Sequence, residues 1–151
     1  MESNLVHLFQ ANTIDAIGFA TSVWRGELRI DIRKYVRGVS DGELIPTAKG
    51  ISIPSRLFPE LYRAIQALSE VMATEKVVAK IEKTSNEAIW IGTNKFEGHQ
   101  LLYIRTHIHN KQKNEWFPTA KGISIRSHLF PELEQGMNLV HENLRTLDSK
   151  K

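Results

Sequence analysis

The chain has 151 residues, of which 41% are hydrophobic and 25% charged, and its net charge is +3. This composition is typical of a globular protein and excludes a disordered or fibrous chain. Because the sequence contains no cysteine, it excludes thiol catalysis, cysteine-based zinc sites and disulfide scaffolds. No basic leader precedes an apolar run, and no apolar run approaches the ~20 residues of a membrane span. We therefore expect an intracellular protein that does not associate with a membrane.

The sequence contains an internal repeat with an offset of 72 residues. Residues 46–61 and 118–133 agree at 14 of 16 positions, and the ungapped comparison of 17–72 with 89–144 adds seven further identities. Chance does not produce such agreement, so we expect two copies of one structural module. The expected segments are an N-terminal arm, a first module and a second module: residues 1–12, 13–84 and 85–148.

Alternation of apolar and polar residues predicts the strands of each module. In the first copy, apolar residues from Leu28 to Val36 alternate with charged and tyrosine side chains, and the second copy repeats this pattern from Leu102 to Ile108. A period of two is typical of a strand with one face on a core. A shorter apolar stretch before each of these segments predicts a further strand: residues 16–20 and 88–92.

The nearly identical block predicts a tight hairpin followed by a helix. Its Ala-Lys-Gly sequence lies between short apolar segments, so Gly50 and Gly122 are expected at turn positions with a positive φ. Pro59 then precedes apolar residues with helical spacing, and this pattern allows the first helix to continue through Ile81. The predicted fold is α+β, a tandem repeat of a four-stranded antiparallel sheet followed by a helix (ββββα).

Positive charge is concentrated in the predicted sheets. Residues 24–56 contain seven basic and four acidic side chains, and residues 96–128 contain five and two, so each region carries +3. Basic and aromatic side chains share the outward face of the main strand. Such a face suits single-stranded nucleic acid, because cations contact phosphates and flat rings stack on bases.

Three short motifs occur in the same order in both copies. They are Trp-Arg-Gly (24–26), Ile-Asp-Ile-Arg (30–33) and Pro-Thr-Ala-Lys-Gly-Ile-Ser (46–52), with counterparts at 96–98, 102–105 and 118–124. Together they resemble the positive cofactor four family of single-stranded-DNA-binding transcriptional coactivators. The resemblance covers most of the chain, and the third motif is its most specific part.

The resemblance implies a pseudo-dimer within one chain, because the family works as a homodimer whose sheets form two channels for single-stranded DNA. It also implies that the helices make the dimer interface. The implied contacts are stacking by Trp24 and Phe96 and phosphate binding by Arg33, Arg105, Lys49 and Lys121. Further candidates on the sheets are Arg25, Arg29, Tyr35, Arg37, Tyr103, His107, Trp116 and Phe117.

Structural roles for some of these residues stay open at this point. Trp24 and Phe96 could cap the core, and Arg33 could pair with Glu43. His107 has metal-ligand spacing with the histidine two residues later, but the other copy repeats no such pair and the chain has no cysteine. No metal and no cofactor are therefore expected. The sequence also lacks a recognisable catalytic motif, which favours a protein that is not an enzyme.

The expected function is non-enzymatic binding of single-stranded DNA, largely without sequence preference, in transcriptional coactivation or regulation or in replication and recombination. RNA binding and a role as a protein-interaction adaptor for the transcription machinery are the alternatives. Transcription or replication proteins are possible partners, and the chain is either a monomer with an internal pseudo-dimer or a further homodimer. We expect it at the nucleoid in the cytoplasm of a prokaryotic or viral system, and in the nucleus of a eukaryote.

Overall fold

The computed structural model describes residues 3–39 and 41–149, and contains two four-stranded antiparallel sheets. The first sheet is built from β1 (Ser3–Gln10), β2 (Asp15–Trp24), β3 (Glu27–Arg37) and β4 (Leu44–Pro54), and is followed by α1 (Phe58–Ala67). The second sheet is built from β5 (Lys76–Thr84), β6 (Glu87–Phe96), β7 (His99–Asn110) and β8 (Glu115–Arg126), and is followed by α2 (Phe130–Ser149). Strands pair in chain order in both sheets, which confirms the predicted tandem ββββα fold.

Two-residue turns join the second and third strands of each sheet. Arg25 and Gly26 have φ angles of 51° and 77°, and Glu97 and Gly98 have φ angles of 51° and 79°. Two successive positive φ angles match the right-handed twist of the strands that such a turn connects. The glycine of each turn motif is therefore required by the backbone conformation.

The segment expected as an N-terminal arm, residues 1–12, contains strand β1 in its described part. β1 pairs with β2 along its length, but the register shifts between Leu5 and His7. This irregularity interrupts the alternation of apolar and polar residues, which is why the pattern did not predict a strand. Residues 1 and 2 of the arm lie outside the described residues.

The prediction of a hairpin at Ala-Lys-Gly is wrong, because β4 and β8 each run through this sequence as one strand. Three residues of β4, from Thr47 to Lys49, lie opposite the single residue Lys34 of β3, which makes a bulge. Gly50 does not have a positive φ. A Cβ atom there would lie 2.6 Å from the carbonyl oxygen of Ile32, so glycine is needed for a close approach of two backbones.

The possible continuation of the first helix through Ile81 is also wrong. α1 ends at Ala67, a short 3-10 turn follows, and residues 76–84 form β5, in which Ile81 pairs with Ile89. Two β-branched valines precede Ile81 by three and four residues, and such residues favour a strand. By its secondary structure, the second sheet-and-helix unit thus begins with β5, before the expected position of residue 85.

Each helix packs on the sheet of the other module. α2 contacts β1 and β2, α1 contacts β5, and the two helices also contact each other. The Thr21 hydroxyl of β2 donates a 3.4 Å hydrogen bond to Asn143 of α2, and the Tyr62 hydroxyl of α1 bonds to Asn138 of α2. β4 lies against β8. Buried residues of both modules form one core, so the two modules fold as a single pseudo-dimer.

Candidate nucleic-acid interface

Each sheet turns one face to the shared core and leaves the other face open. We call these open surfaces the first outer face and the second outer face. The first outer face contains Gly18, Ser22, Trp24, Arg29, Asp31, Arg33, Tyr35 and Ser52. The second outer face contains Trp90, Asn94, Phe96, Leu101, Tyr103, Arg105, His107 and Ser124. With the 72-residue offset, these eight positions of one face match the eight of the other in the order given.

The repeated block folds into the same bulge in both modules. In the first, Arg33 Nη1 donates a 2.9 Å hydrogen bond to the carbonyl oxygen of Thr47, whose hydroxyl donates to the carbonyl oxygen of Lys34 at 2.8 Å. In the second, Arg105 Nη1 donates to the carbonyl oxygen of Thr119 at 3.0 Å. A bulge leaves backbone groups unpaired, and the arginine and threonine satisfy them. The arginine pair thus has a structural role that its recurrence alone did not reveal.

Lys49 and Lys121 lie within these bulges rather than at hairpin tips. Both side chains are exposed, and neither forms an ion pair with a residue that the structure describes. Lys49 lines a 330 Å³ crevice between the modules together with Arg105 and Ser124 of the second outer face. Each bulge therefore presents an exposed ammonium group, and Lys49 shares its crevice with Asp15 and Lys34 of its own module as well as with Arg105 of the other.

Charges of the first outer face are paired internally. Its open trough of 440 Å³ is lined by Trp24, Arg29, Asp31 and Arg33, with two serines. Arg29 Nη1 lies 2.6 Å from Glu27 Oε1, and its other nitrogens donate to the hydroxyl and carbonyl oxygens of a serine at 3.0 Å. Arg33 Nη2 lies 3.8 Å from Asp31 Oδ1. Two carboxylates thus balance Arg33, which was expected to contact phosphate, and Arg29, a further candidate for binding nucleic acid.

The alternative pairing of Arg33 with Glu43 does not occur in the structure. The carboxylate nearest to its guanidinium is that of Asp31, two residues earlier on the same face of β3.

The second outer face contains a tryptophan stacked between two side chains. The rings of Trp90 and His107 are parallel within 6°, with centroids 4.0 Å apart, and Lys80 Nζ lies 4.2 Å from the centroid of the indole. His107 is only 7% exposed. Burial lowers the pKa of His107, and the positive charges of Arg105 and Lys80 lower it further. The imidazole is therefore a neutral support for the indole at neutral pH.

Arg105 has no carboxylate partner among the described residues. Its Nη1 bonds to the bulge carbonyl and its Nη2 donates to Ser124 Oγ at 3.1 Å. Burial lowers the pKa of Arg105, but an arginine keeps its charge at any pH of interest. Because Tyr103 stands where the first face has an aspartate, a positive charge faces the 330 Å³ trough of the second face without compensation. Burial raises the pKa of the Tyr103 hydroxyl, which stays neutral.

Trp24 and Phe96 stand at the ends of the outer faces, next to the two-residue turns. They are 45% and 63% exposed, so neither caps the core. The guanidinium of Arg25 lies 4.4 Å from the centre of the Trp24 ring, in a cation–π contact. Both rings are accessible to a stacking ligand, and the second turn has a glutamate, Glu97, in place of this arginine.

The other candidates differ in how open they are. The Tyr35 ring covers Gly18, where a Cβ atom would meet it at 2.4 Å. Arg37 donates a hydrogen bond to the carbonyl oxygen of Gly42, within its own β3–β4 connection.

The aromatic pair near the β7–β8 connection is divided between the two sides of the sheet. Trp116 is 36% exposed and lies opposite His109, with the ring centroids 5.0 Å apart and the ring planes tilted by 44°, so it extends the second outer face. Phe117 follows directly and therefore projects to the opposite side, where Lys113 lies 6.0 Å from its ring.

Sequence reasoning missed Trp90, although its pattern contained a usable signal. The repeat places Trp90 at the position of Gly18, so no aromatic residue recurs there to mark it. The stretch 88–92 was interpreted only as apolar. Within it, Ile89 and Ile91 face the core, and strand alternation then turns Trp90 to the outer face.

Groups of three or more histidine, aspartate or glutamate residues that could bind a metal ion do not occur in the described part of the chain. Among its helices, none is both long and apolar enough to cross a membrane.

Residues 17–64 match the family model of Transcriptional Coactivator p15 (PC4). The match lies in the first module and confirms its predicted resemblance, and the internal repeat relates the second module to it. Two crystal forms of a PC4 homolog from Burkholderia pseudomallei also align, each at 26% identity. They cover 46% and 45% of this chain and 92% and 98% of theirs, with TM-scores of 0.41 and 0.40. None of the curated proteins matches the chain significantly.

Proposed function

We propose, on the premise that the first module is a PC4 domain, that this protein binds single-stranded DNA through its two outer faces. Binding is largely independent of the base sequence. It supports transcriptional coactivation or regulation, or a role in replication or recombination. The observation that carries the proposal is the duplicated bulge. In each module it holds an exposed lysine, Lys49 or Lys121, and an exposed aromatic ring, Trp24 or Phe96, stands at the turn end of the outer face.

The backbone of the strand is bound by the bulge lysines. Lys49 and Lys121 are exposed and have no carboxylate partner in the described chain. Each binds a phosphate by charge, releasing a condensed counterion, and this contribution is independent of the base sequence. The lysines are not needed for the bulge itself, whose hydrogen bonds involve only the lysine backbone N–H together with arginine and threonine.

The preference for a single strand over a duplex comes from the exposed rings. Trp24 and Phe96 are exposed at the turn ends of the outer faces, and the Arg25 guanidinium already lies over the Trp24 ring. In a duplex the bases are stacked on one another and are not available to these rings, whereas a single strand offers its base faces. A surface of this kind accepts any base, because each has a π face.

Fluorescence anisotropy with a labelled oligo-dT, a duplex of the same length and a matched RNA, each at several salt concentrations, tests this function. We expect tighter binding of oligo-dT than of the duplex. If about five phosphates are contacted, the slope of log K against log salt is about −3.5. An equal affinity for the duplex would overturn the proposal, and tighter binding of the RNA would assign the protein to RNA instead.

The role of the lysines is tested by the double variant Lys49→Ala/Lys121→Ala. We expect a salt slope shallower by about 1.4, as two phosphate contacts are lost at ~0.7 each. Arg63→Ala/Arg145→Ala is the matched control, because it removes the same charge from exposed positions on the two helices. A control that loses as much affinity as the lysine variant would show that only net charge matters.

A pull-down from nuclease-treated extract separates this function from that of a protein adaptor. If the protein acts through DNA, we expect its association with transcription proteins to disappear on nuclease treatment. A partner that stays bound after the nucleic acid is removed would favour the adaptor role.

A further inference from the structure

We infer that the two outer faces bind the strand unequally, and that the second outer face provides most of the affinity. The inference rests on the proposed function and deepens it. A PC4 family model matches only residues 17–64, in the first module, yet the side chains suited to a nucleic-acid strand are more complete in the second.

The first difference is electrostatic. On the first outer face, Glu27 and Asp31 pair with Arg29 and Arg33, so the strand must displace a carboxylate before it gains an arginine. The repeat changes Glu27 to a histidine and Asp31 to a tyrosine on the second face. A carboxylate next to a phosphate also repels it directly. The first face thus has two arginines that are each paired with a carboxylate. The second has Leu101 in place of Arg29 and keeps one arginine, Arg105, with no carboxylate partner among the described residues.

The second face also gains a cation from the first module. Lys49 shares the crevice between the modules with Arg105. Lys121, the matching lysine, lies near Lys83, whose pKa is lowered by burial and by the positive charges of Arg29 and Lys121. Lys121 thus joins a region where Asp31 and Glu87 are also present. The crevice also holds Lys34 and Asp15, whose charged groups lie 3.2 Å apart, so three cations share one carboxylate there. Around Lys83 and Lys121, three cations share two carboxylates.

The second difference is the stacking platform. His107 fixes one side of the Trp90 indole, so ordering the ring costs little entropy on binding. The Lys80 ammonium lies 4.2 Å from the centroid of the indole, at the end of a long, exposed side chain. A base displaces the Lys80 ammonium from the ring, and the lysine remains available for the adjoining phosphate. On the first face, the matching position is Gly18, which supplies no ring.

Two matched pairs of variants test the inequality. Arg33→Ala and Arg105→Ala remove the same hydrogen bond to a bulge carbonyl, 2.9 and 3.0 Å long, so their structural costs are alike. Their thermal transitions are measured first to establish this. We expect Arg105→Ala to weaken oligo-dT binding about 10-fold or more, as for a hydrogen bond to a charged group. Arg33→Ala should weaken it less than about 3-fold, because Asp31 already compensates this arginine.

The second pair is Trp90→Ala and Tyr35→Ala, which remove a ring from the second and the first outer face. The repeat does not relate these two positions, but the Tyr35 ring lies over Gly18, the counterpart of Trp90. We expect Trp90→Ala to weaken oligo-dT binding by a factor of roughly 5 to 150, which corresponds to the loss of one stacked base. Tyr35→Ala should change the affinity little. A fully abasic strand of equal length provides a chemical control. It offers phosphates but no bases, so Trp90→Ala and the unaltered protein should bind it equally.

The outcomes separate the inference from the function on which it rests. If the protein prefers oligo-dT to duplex but the first-face variants lose as much affinity as the second-face variants, the inequality is overturned and the function stands. If the unaltered protein shows no preference for a single strand, the proposed function itself fails. Larger losses on the second face, confined to strands that carry bases for Trp90→Ala, support the inference.

Discussion

The two outer faces share a scaffold and differ in the side chains placed on it. Arg33 and Arg105 hold equivalent bulges, and Gly50 and Gly122 allow equivalent close approaches of the backbone. Around this frame the first face has ion pairs where the second has aromatic rings. The comparison teaches that the identical block preserves the backbone of the site, while the variable positions decide what each site binds.

The contacts between each helix and the sheet on which it packs show a second contrast. A Cβ atom on Gly136 of α2 would lie 2.3 Å from the ring of Phe19 in β2, so this helix approaches the first sheet closely. The repeat places Ala64 at the matching position of α1 and Ile91 at the position of Phe19. A larger residue on the sheet therefore goes with the smaller residue on the helix.

The largest expected effect tests the two glycines at which the backbones of neighbouring strands approach closely. Gly122→Ala places a Cβ atom 2.5 Å from the carbonyl oxygen of Ile104, and backbone atoms cannot move aside as a side chain can. We expect a loss of about 3 kcal/mol of unfolding free energy, or roughly 6–12 °C in the thermal transition. Gly50→Ala should cost the same. A tolerated alanine at either position, measured by calorimetry, would show that the two bulges are not equivalent.

A smaller loss of stability is expected where α2 packs on the first sheet. Alanine favours a helix by about 1 kcal/mol over glycine, yet Gly136→Ala should destabilise the protein by about 1–2 kcal/mol because its methyl group meets the Phe19 ring. Urea unfolding measures this change. The double variant Gly136→Ala/Phe19→Ile imitates the other module and should recover part of the loss. Stabilisation by the single variant would contradict the close approach.

The electrostatic difference between the faces predicts a gain of affinity. Asp31→Asn removes the carboxylate beside Arg33 while keeping an acceptor for the Ser22 hydroxyl. We expect oligo-dT binding to tighten about 3-fold, with a salt slope steeper by ~0.7 from one more phosphate contact. Glu60→Gln, an exposed position on α1, is the control for net charge. An equal gain of affinity in Glu60→Gln would show that the change in net charge, and not the loss of the carboxylate beside Arg33, causes the tighter binding.

The smallest effect concerns the support beneath Trp90. Burial lowers the pKa of His107 in the folded state, so the unfolded chain binds the proton more readily. The free energy of unfolding should therefore fall as the pH drops through about 6.5, the value of a free histidine, and level off below the folded-state pKa. His107→Tyr, which imitates Tyr35, should lose less stability between pH 7.5 and 5. Identical losses in denaturation experiments would mean that other groups govern the acid response.

Local patterns were sufficient for much of the fold. The repeat identified two copies, and alternation along Ile30 and Ile32 placed the main strand with its charged residues outward. These features depend on a few neighbouring residues, and therefore on physics that a short window of sequence contains.

The predictions that failed were those for which two local structures fit the same residues. Ala-Lys-Gly suits a tight turn as well as a bulge, and only the pairing with β3 distinguishes them. The apolar residues up to Ile81 suit a helix or a strand until Ile81 pairs with Ile89. Sequence offered Arg105 as a candidate for the site but not its partner Ser124, because this serine of β8 meets the guanidinium only through the strand register.

The amino-acid sequence by itself determined that this protein consists of two related modules with basic and aromatic residues on their strands. Repetition, alternation and composition are properties of the chain and can be recognised without a three-dimensional structure. Tertiary structure alone decided that Arg105 hydrogen-bonds to Thr119 and Ser124 of β8 and that Trp90 stacks on His107. It also brought Lys49 of one module to Arg105 of the other. Contacts between residues far apart in the chain depend on how the modules pack, and no local pattern encodes that packing.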